Sequence, residues 1–246
     1  MPIPPSHRTS RIGHVLLAGA MALACVFARA TPARGEPVGS PTHLEKGQWD
    51  MELRGGGVHA LGMKSGAIVS IYGGGHRRGY GLTDRLSLYG EVGAASVTVE
   101  DGTFPKGISQ AFGTNLLVDL QVKGILWQNA RKDWTWDGSL QYIFIGSPHK
   151  RGKNKAIWNE WQFATCLAKS FRSFKPYAGV KASLVSFRYT ARGNQIQVDG
   201  TYKPDGTVGP VFGLDWTFGE NQDAILNVEA SYINGPDLAV TLTKRF

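Results

Sequence analysis

At 246 residues the chain has room for one large domain or two small ones. A hydrophobic content of 42% is too low for a helical membrane bundle, and apolar residues that alternate from Trp49 to Phe246 exclude disorder over most of the length. The formal net charge of +8 comes without a long basic block, which argues against a nucleic-acid protein.

Residues 1–30 read as a secretory signal peptide. His7, Arg8 and Arg11 supply the charged start, Val15 to Phe27 form an apolar run, and Ala28-Arg29-Ala30 is a small–x–small cleavage site. The apolar run is shorter than the roughly 20 residues a spanning helix needs. Cys25 follows Ala22-Leu23-Ala24, a poor lipobox, so cleavage after Ala30 is expected. Removing Arg8, Arg11 and Arg29 with the signal lowers the net charge from +8 to +5. One cysteine, Cys166, then remains, and no intrachain disulfide can form.

Residues 31–46 hold Pro32, Pro37 and Pro41 with little apolar content, and read as a flexible periplasmic leader. From residue 47 to 246 no window shows a helical period, and period-two alternation recurs instead. It is clearest from Phe112 to Leu126. One face carries Phe112, Leu116, Val118, Leu120, Val122 and Leu126; the other carries Asn115, Asp119, Gln121 and Lys123. Only Leu117 breaks the rule.

The same reading predicts about ten strands, with eight possible: 49–57, 67–80, 85–99, 109–127, 133–145, 156–169, 176–190, 208–218, 224–233 and 238–246. The glycine runs Gly55–Gly57 and Gly73–Gly75 blur the first two. Connectors alternate between compact (81–84, 128–132, 170–175, 219–223) and long, polar ones (100–108, 146–155, 191–207). Only 234–237 is a short connector on the long side. Such alternation suits an all-β, closed, antiparallel up-and-down transmembrane β-barrel, with periplasmic turns at one end and external loops at the other.

Three features favour lipid on the apolar face over a soluble barrel or sandwich. Charged residues lie opposite the apolar ones: Asp50, Glu52, Arg54, Glu91, Asp119, Lys123, Asp137, Glu160, Lys181, Asp215 and Glu229. Strands of ten or more residues match a tilted span of the hydrocarbon core. Aromatics gather at strand ends. Trp49, Trp127, Trp134, Trp136, Tyr177, Trp216, Phe218 and Phe246 sit beside turns or termini; Tyr142, Phe144, Trp158, Trp161, Phe187, Tyr189 and Tyr232 sit near loops, as two interfacial girdles would.

The segment Tyr80-Gly-Leu-Thr-Asp-Arg-Leu-Ser-Leu-Tyr-Gly-Glu-Val-Gly93 and the ending Leu238-Ala-Val-Thr-Leu-Thr-Lys-Arg-Phe246 resemble bacterial outer-membrane β-barrel proteins, of the small opacity-like or porin-like kind. The resemblance implies a place in the cell outer membrane. It also implies that Phe246, with Leu242, Val240 and Leu238, acts as the signal read by the barrel-assembly machinery. Lys244 occupies a slot that is usually apolar or aromatic.

Chemistry is sparse. His59 is expected in the first external connector and His149 in the third, with no paired nucleophile or carboxylate spacing beside them. His43 falls in the leader, Cys166 stands alone on a strand, and Gly73–Gly75 lacks the Lys and Ser/Thr of a phosphate loop. The expectation is a non-enzymatic barrel without cofactor or metal. Arg54, Glu91, Asp119, Lys123, Asp137, Glu160, Lys181, Asp215 and Glu229 are the lumen-lining candidates. Lys150, Arg151, Lys153 and Lys155 form an external basic loop suited to lipopolysaccharide phosphates. A structural or surface-interaction role comes first. A narrow pore follows, cation-preferring because eight of the eleven charged residues named above are acids. A rim enzyme acting on lipid or peptide comes last.

Overall fold

The computed structural model describes residues 41, 43–63, 67–100, 109–146, 155–192, 197–202, 207–233 and 235–246. Eleven antiparallel strands follow in chain order: β1 (Trp49–Gly62), β2 (Ile68–Thr83), β3 (Leu86–Glu100), β4 (Ser109–Gln128), β5 (Trp134–Gly146), β6 (Lys155–Lys169), β7 (Phe174–Arg192), β8 (Gln197–Tyr202), β9 (Val208–Phe218), β10 (Ala224–Tyr232) and β11 (Pro236–Arg245). Each pairs with its sequence neighbour, except that β9 pairs with β7. Pairing of β1 with β11, from Asp50↔Arg245 to Val58↔Asp237, joins the two ends of the chain. The wall is a closed ten-strand barrel, and β8 is an eleventh strand paired only to the end of β7. Closure leaves the ten-strand wall without a free edge, the condition for a sheet to sit in lipid.

The sequence places 191–207 in a loop, and β8 lies inside it. β7 leaves β9 after Ala182↔Val208 and goes on to pair with β8 from Phe187↔Tyr202. β1 also runs further than expected, through Gly55–Gly57 to Gly62, so the His59 backbone lies in a strand and not in a connector. The glycines remove side chains from the alternation without interrupting the ladder.

Short turns at 84–85, 129–133, 170–173 and 219–223 gather at one end with both ends of the described chain; this is the turn end, and the opposite one is the loop end. Outward positions carry Leu53, Leu88, Val92, Leu120, Leu184, Phe212 and other large apolar groups. Six tryptophans point outward: Trp49, Trp127, Trp134, Trp136 and Trp216 near strand ends, and Trp161 at the middle of β6, away from the loop-end girdle expected for it.

Three girdle assignments are corrected. Tyr177, Trp158 and Phe187 all face inward and are buried. Their strand-end position is as expected, but position along a strand does not fix parity. Trp158 and Phe187 meet at 5.6 Å between ring centroids. They belong to an apolar cluster inside the loop end that includes Met63, Val97, Leu117 and Ile145. This is where the two-faced pattern fails. Beyond the polar middle, the interior switches to apolar residues, and Leu117, the exception in the β4 alternation, is fully buried at that switch. The cluster draws on β1 to β7, the taller side of the wall, so it works as an ordinary hydrophobic core. Removing its fully buried aromatic, Phe187→Ala, is expected to cost about 3–5 kcal/mol, read as a lowered midpoint in urea unfolding of the detergent-solubilised protein. The outward-facing Phe212→Ala is the low-cost control.

Candidate functional site

The interior of the barrel is the only region where charged side chains converge among the described residues. Alternation along each strand directs them there, and closure of the wall brings together residues remote in sequence. All nine lumen-lining candidates are on the inner face and at most 9% exposed. Asp119 and Asp215 have no exposed surface.

One group centres on two arginines. Arg54 on β1 reaches Glu91 on β3 at 3.0 Å and Asp119 on β4 at 3.4 Å, with Glu52 at 3.8 Å from its Nε. Arg77 on β2 reaches Glu52 at 3.2 Å and donates to Gln121. Gln121 donates to Gln141, and Gln141 donates to Asp119 at 2.7 Å, completing a ring of contacts across β1 to β5. The Arg77 guanidinium also lies over the Tyr89 ring at 4.2 Å, with the Lys123 ammonium near the same ring at 5.1 Å.

The other groups are smaller. Lys181 on β7 pairs with Asp237 at 3.3 Å, and Ser231 donates to the same carboxylate oxygen at 2.6 Å. Tyr177 donates to Glu229 at 2.8 Å, while Asn227 donates to the Tyr177 oxygen and to Asp215. Glu160 accepts from Trp158, Gln162 and Ser183. Cys166 is a packed side chain between Ala164, Ala168 and Tyr177, in agreement with its sequence reading as a small strand residue.

Arg77 was not legible in the sequence, although it is fully buried and sits at the middle of the network. Gly73–Gly75 precede it, so no apolar–polar rhythm fixed its parity. Its spacing of two residues from Gly75 and Gly79, both inward, is the one signal that points to it in retrospect.

A second feature lies at the turn end. Residues 43–46, read from the sequence as part of a free leader, enter the mouth of the barrel. Leu44 is 1% exposed, and the His43 ring hydrogen-bonds Asp137 on β5 at 2.5 Å. The Pro41 carbonyl accepts from Lys175 on β7 at 2.8 Å. Gly47, at φ +83°, turns the chain into β1, and its N–H donates to the Gly81 carbonyl. A Cβ on Gly81 would collide with the Glu45 carbonyl, so only glycine admits the strap at this point. Pro-rich composition concealed this docking, because one buried leucine and one histidine carry it.

Lys150, Arg151 and Lys153 of the basic loop, with His149, lie outside the described residues; Lys155 is the first residue of β6, and its side chain is not among those described. The side chain of His59 is likewise outside them. Phe246 is 70% exposed and exchanges backbone hydrogen bonds with Trp49, placing the last residue beside the first strand. Outside the strands, Asp223 is held below the usual carboxylate range by hydrogen bonding to Lys244, and Asp133 by hydrogen bonding to Asn129. Among the described residues no group of His, Cys, Asp and Glu is disposed to hold a metal.

Burial pushes the His43 imidazole below its ordinary value near 6.5, an effect that the hydrogen bond to Asp137 only partly offsets. The docked strap therefore binds fewer protons than the undocked one, and docking weakens as pH falls through about 6.5. From pH 7.5 to 5, amide exchange at Leu44 and Glu45 should slow less than the intrinsic rate does, leaving an excess of exchange as protection falls. In His43→Gln that excess should vanish; an equal excess there rules out His43 as the titrating group.

No family model matches the chain, and no curated protein does. Among solved structures, the translocator domain of the autotransporter NalP from Neisseria meningitidis is similar at a TM-score of 0.50 and 10% identity, over 96% of this chain and 97% of that one. The N-terminal β-barrel domain of OprF from Pseudomonas aeruginosa matches at 0.31 and 15%, over 82% and 100%. An outer-membrane channel from Pseudomonas putida matches at 0.39 and 11%, over 86% and 100%. Likeness at such identity speaks for fold alone. A closed wall of ten antiparallel strands with an apolar outer face, aromatic strand ends and a charged interior makes this chain an outer-membrane-type β-barrel.

Proposed function

We propose that the chain is exported by its N-terminal signal to the cell outer membrane, where it is a closed, non-enzymatic barrel with a structural and surface-interaction role. The observation that carries this reading is the packing of the interior. Arg77, Asp119 and Asp215 have no exposed surface and Lys181 has 1%, so the side chains at the middle of the bore pack closely against one another. Ten strands enclose a bore little wider than that of eight, which side chains can fill. The apolar cluster at the loop end and the strap at the turn end add a barrier on each side of the ionic layer.

Its expected partners are membrane lipid, lipopolysaccharide and, through Phe246, the barrel-assembly machinery. The basic loop would meet outer-leaflet phosphates. Replacing Lys150, Arg151, Lys153 and Lys155 together by Gln should lower binding to lipopolysaccharide-containing vesicles; undiminished binding sinks this part of the reading.

The interior acids motivate the alternative of a narrow cation-preferring pore, and conductance separates the two. Refolded protein, verified by heat-modifiable gel mobility, is expected to give no steady steps in a planar bilayer. Steady cation-selective steps that shrink in Glu91→Gln and Asp119→Asn would replace the closed barrel with a pore.

A further inference from the structure

The outer surface of β2 differs from the rest of the wall. Large apolar groups take outward positions on its neighbours, Met51 and Leu53 on β1 and Leu88 and Val92 on β3. Between its ends β2 presents Tyr72, Gly74, His76, Arg78 and Tyr80 instead. Lys244 and Lys169 also face outward, but they lie at strand ends, where Lys244 pairs with Asp223 and Lys169 sits over Trp134. Arg188 lies where β7 has left β9 and pairs with β8. His76 and Arg78 are thus the ionisable outward groups within the lipid-facing band among the described residues.

Their depth follows from the register. Trp49 pairs with Tyr80, and the two rings meet at 4.5 Å between centroids, tilted by 40°, in the girdle of the turn end. Arg78 lies two residues further in, about 5 Å deeper along a strand tilted near 40°. Its Nε is 3.4 Å from His76 Nε2, and no acid accompanies it. A guanidinium held just inside an interface, without a protein carboxylate, calls for an anion from the membrane.

The surface above it has room for the rest of such a molecule. Gly90 is the register partner of Arg78, and Gly55 and Gly74 pair with each other one step beyond His76. A Cβ added at Gly55 would meet no atom within 4 Å, and at Gly90 only Leu120 at 3.7 Å. Polar groups at the girdle thus lead to positions without side chains, Gly90 and then Gly55 and Gly74, nearer the bilayer centre.

We propose that the β1–β3 face is a binding site for one phospholipid of the periplasmic leaflet. Arg78 takes the headgroup phosphate, His76 orients the guanidinium, the Trp49–Tyr80 pair flanks the glycerol region, and an acyl chain lies over Gly55, Gly74 and Gly90. The site rests on the outer-membrane placement proposed above, which puts the turn end at the periplasmic leaflet. A second copy of this chain fits less well, since two such faces would bring Arg78 against Arg78 with no acid between them.

The test is native mass spectrometry of the full mature chain in detergent, titrated with dioleoyl phosphatidylglycerol or with dioleoylglycerol, which lacks the phosphate. The expected result is one retained phosphatidylglycerol per chain and little dioleoylglycerol. Retention should fall about tenfold or more in Arg78→Gln, as loss of a charge-assisted bond implies, and should persist in Arg188→Gln. Gly55→Leu puts a side chain in the path of that acyl chain and should also reduce retention. Equal retention in the parent and Arg78→Gln, equal retention of the two lipids, or a dimer mass in place of a lipid adduct would each overturn the proposal. A chain that needs no detergent and shows no heat-modifiable mobility would instead remove the membrane placement itself.

Discussion

Closing a sheet into a barrel leaves a bore that must be filled, and this constraint shapes most of the interior. A ten-strand wall satisfies its backbone groups by pairing β1 with β11, but the inner side chains then have only one another and trapped water as partners. The Arg54–Glu91–Asp119 and Arg77–Glu52–Gln121 contacts are the result. Buried ion pairs contribute little net stability, because the desolvation of each charge offsets their attraction. Breaking one is expensive, however, because it leaves a buried charge with no counter-ion. Such a lattice fixes which strands meet and in which register, and the apolar core at the loop end supplies the favourable burial.

The three levels of the interior differ in what they can tolerate. At the loop end, Trp158, Phe187 and their neighbours behave as a small protein core, sensitive to volume. In the middle, Tyr89 lies between cations and buried carboxylates, and Gln121 and Gln141 relay hydrogen bonds between ions. At the turn end, a few residues ahead of β1 complete the wall from inside: Leu44 closes the mouth, and His43 and the Pro41 carbonyl occupy Asp137 and Lys175. Two of these three levels are polar, so loss of one leaves groups in the next without partners.

The barrel itself was legible because strand alternation and turn spacing report the same geometry. Nine lumen candidates, spread from Arg54 to Glu229, all face the interior, since each lies in a strand whose parity is anchored by apolar neighbours. Where the anchor is missing, legibility ends. Arg77 follows three glycines; Trp158, Phe187 and Tyr177 have the strand-end location of girdle residues but inward parity. The strap has neither apolar rhythm nor length. Its docking depends on Gly81, thirty-six residues after Glu45, lacking a side chain.

The outer face of β2 follows from the same reasoning turned outward. Side chains at Gly74 and Gly93 would strike backbone carbonyls of the adjoining strands, so the strands approach there over bare backbone. This close approach leaves β2 without a large outward side chain at Gly74, so its outer face offers little apolar contact there. A polar pair placed beside it displaces less favourable burial than it would on β4 or β9, where Leu120 and Phe212 stand. The glycines that obscure the sequence pattern and the cation on the outer face thus share one local cause.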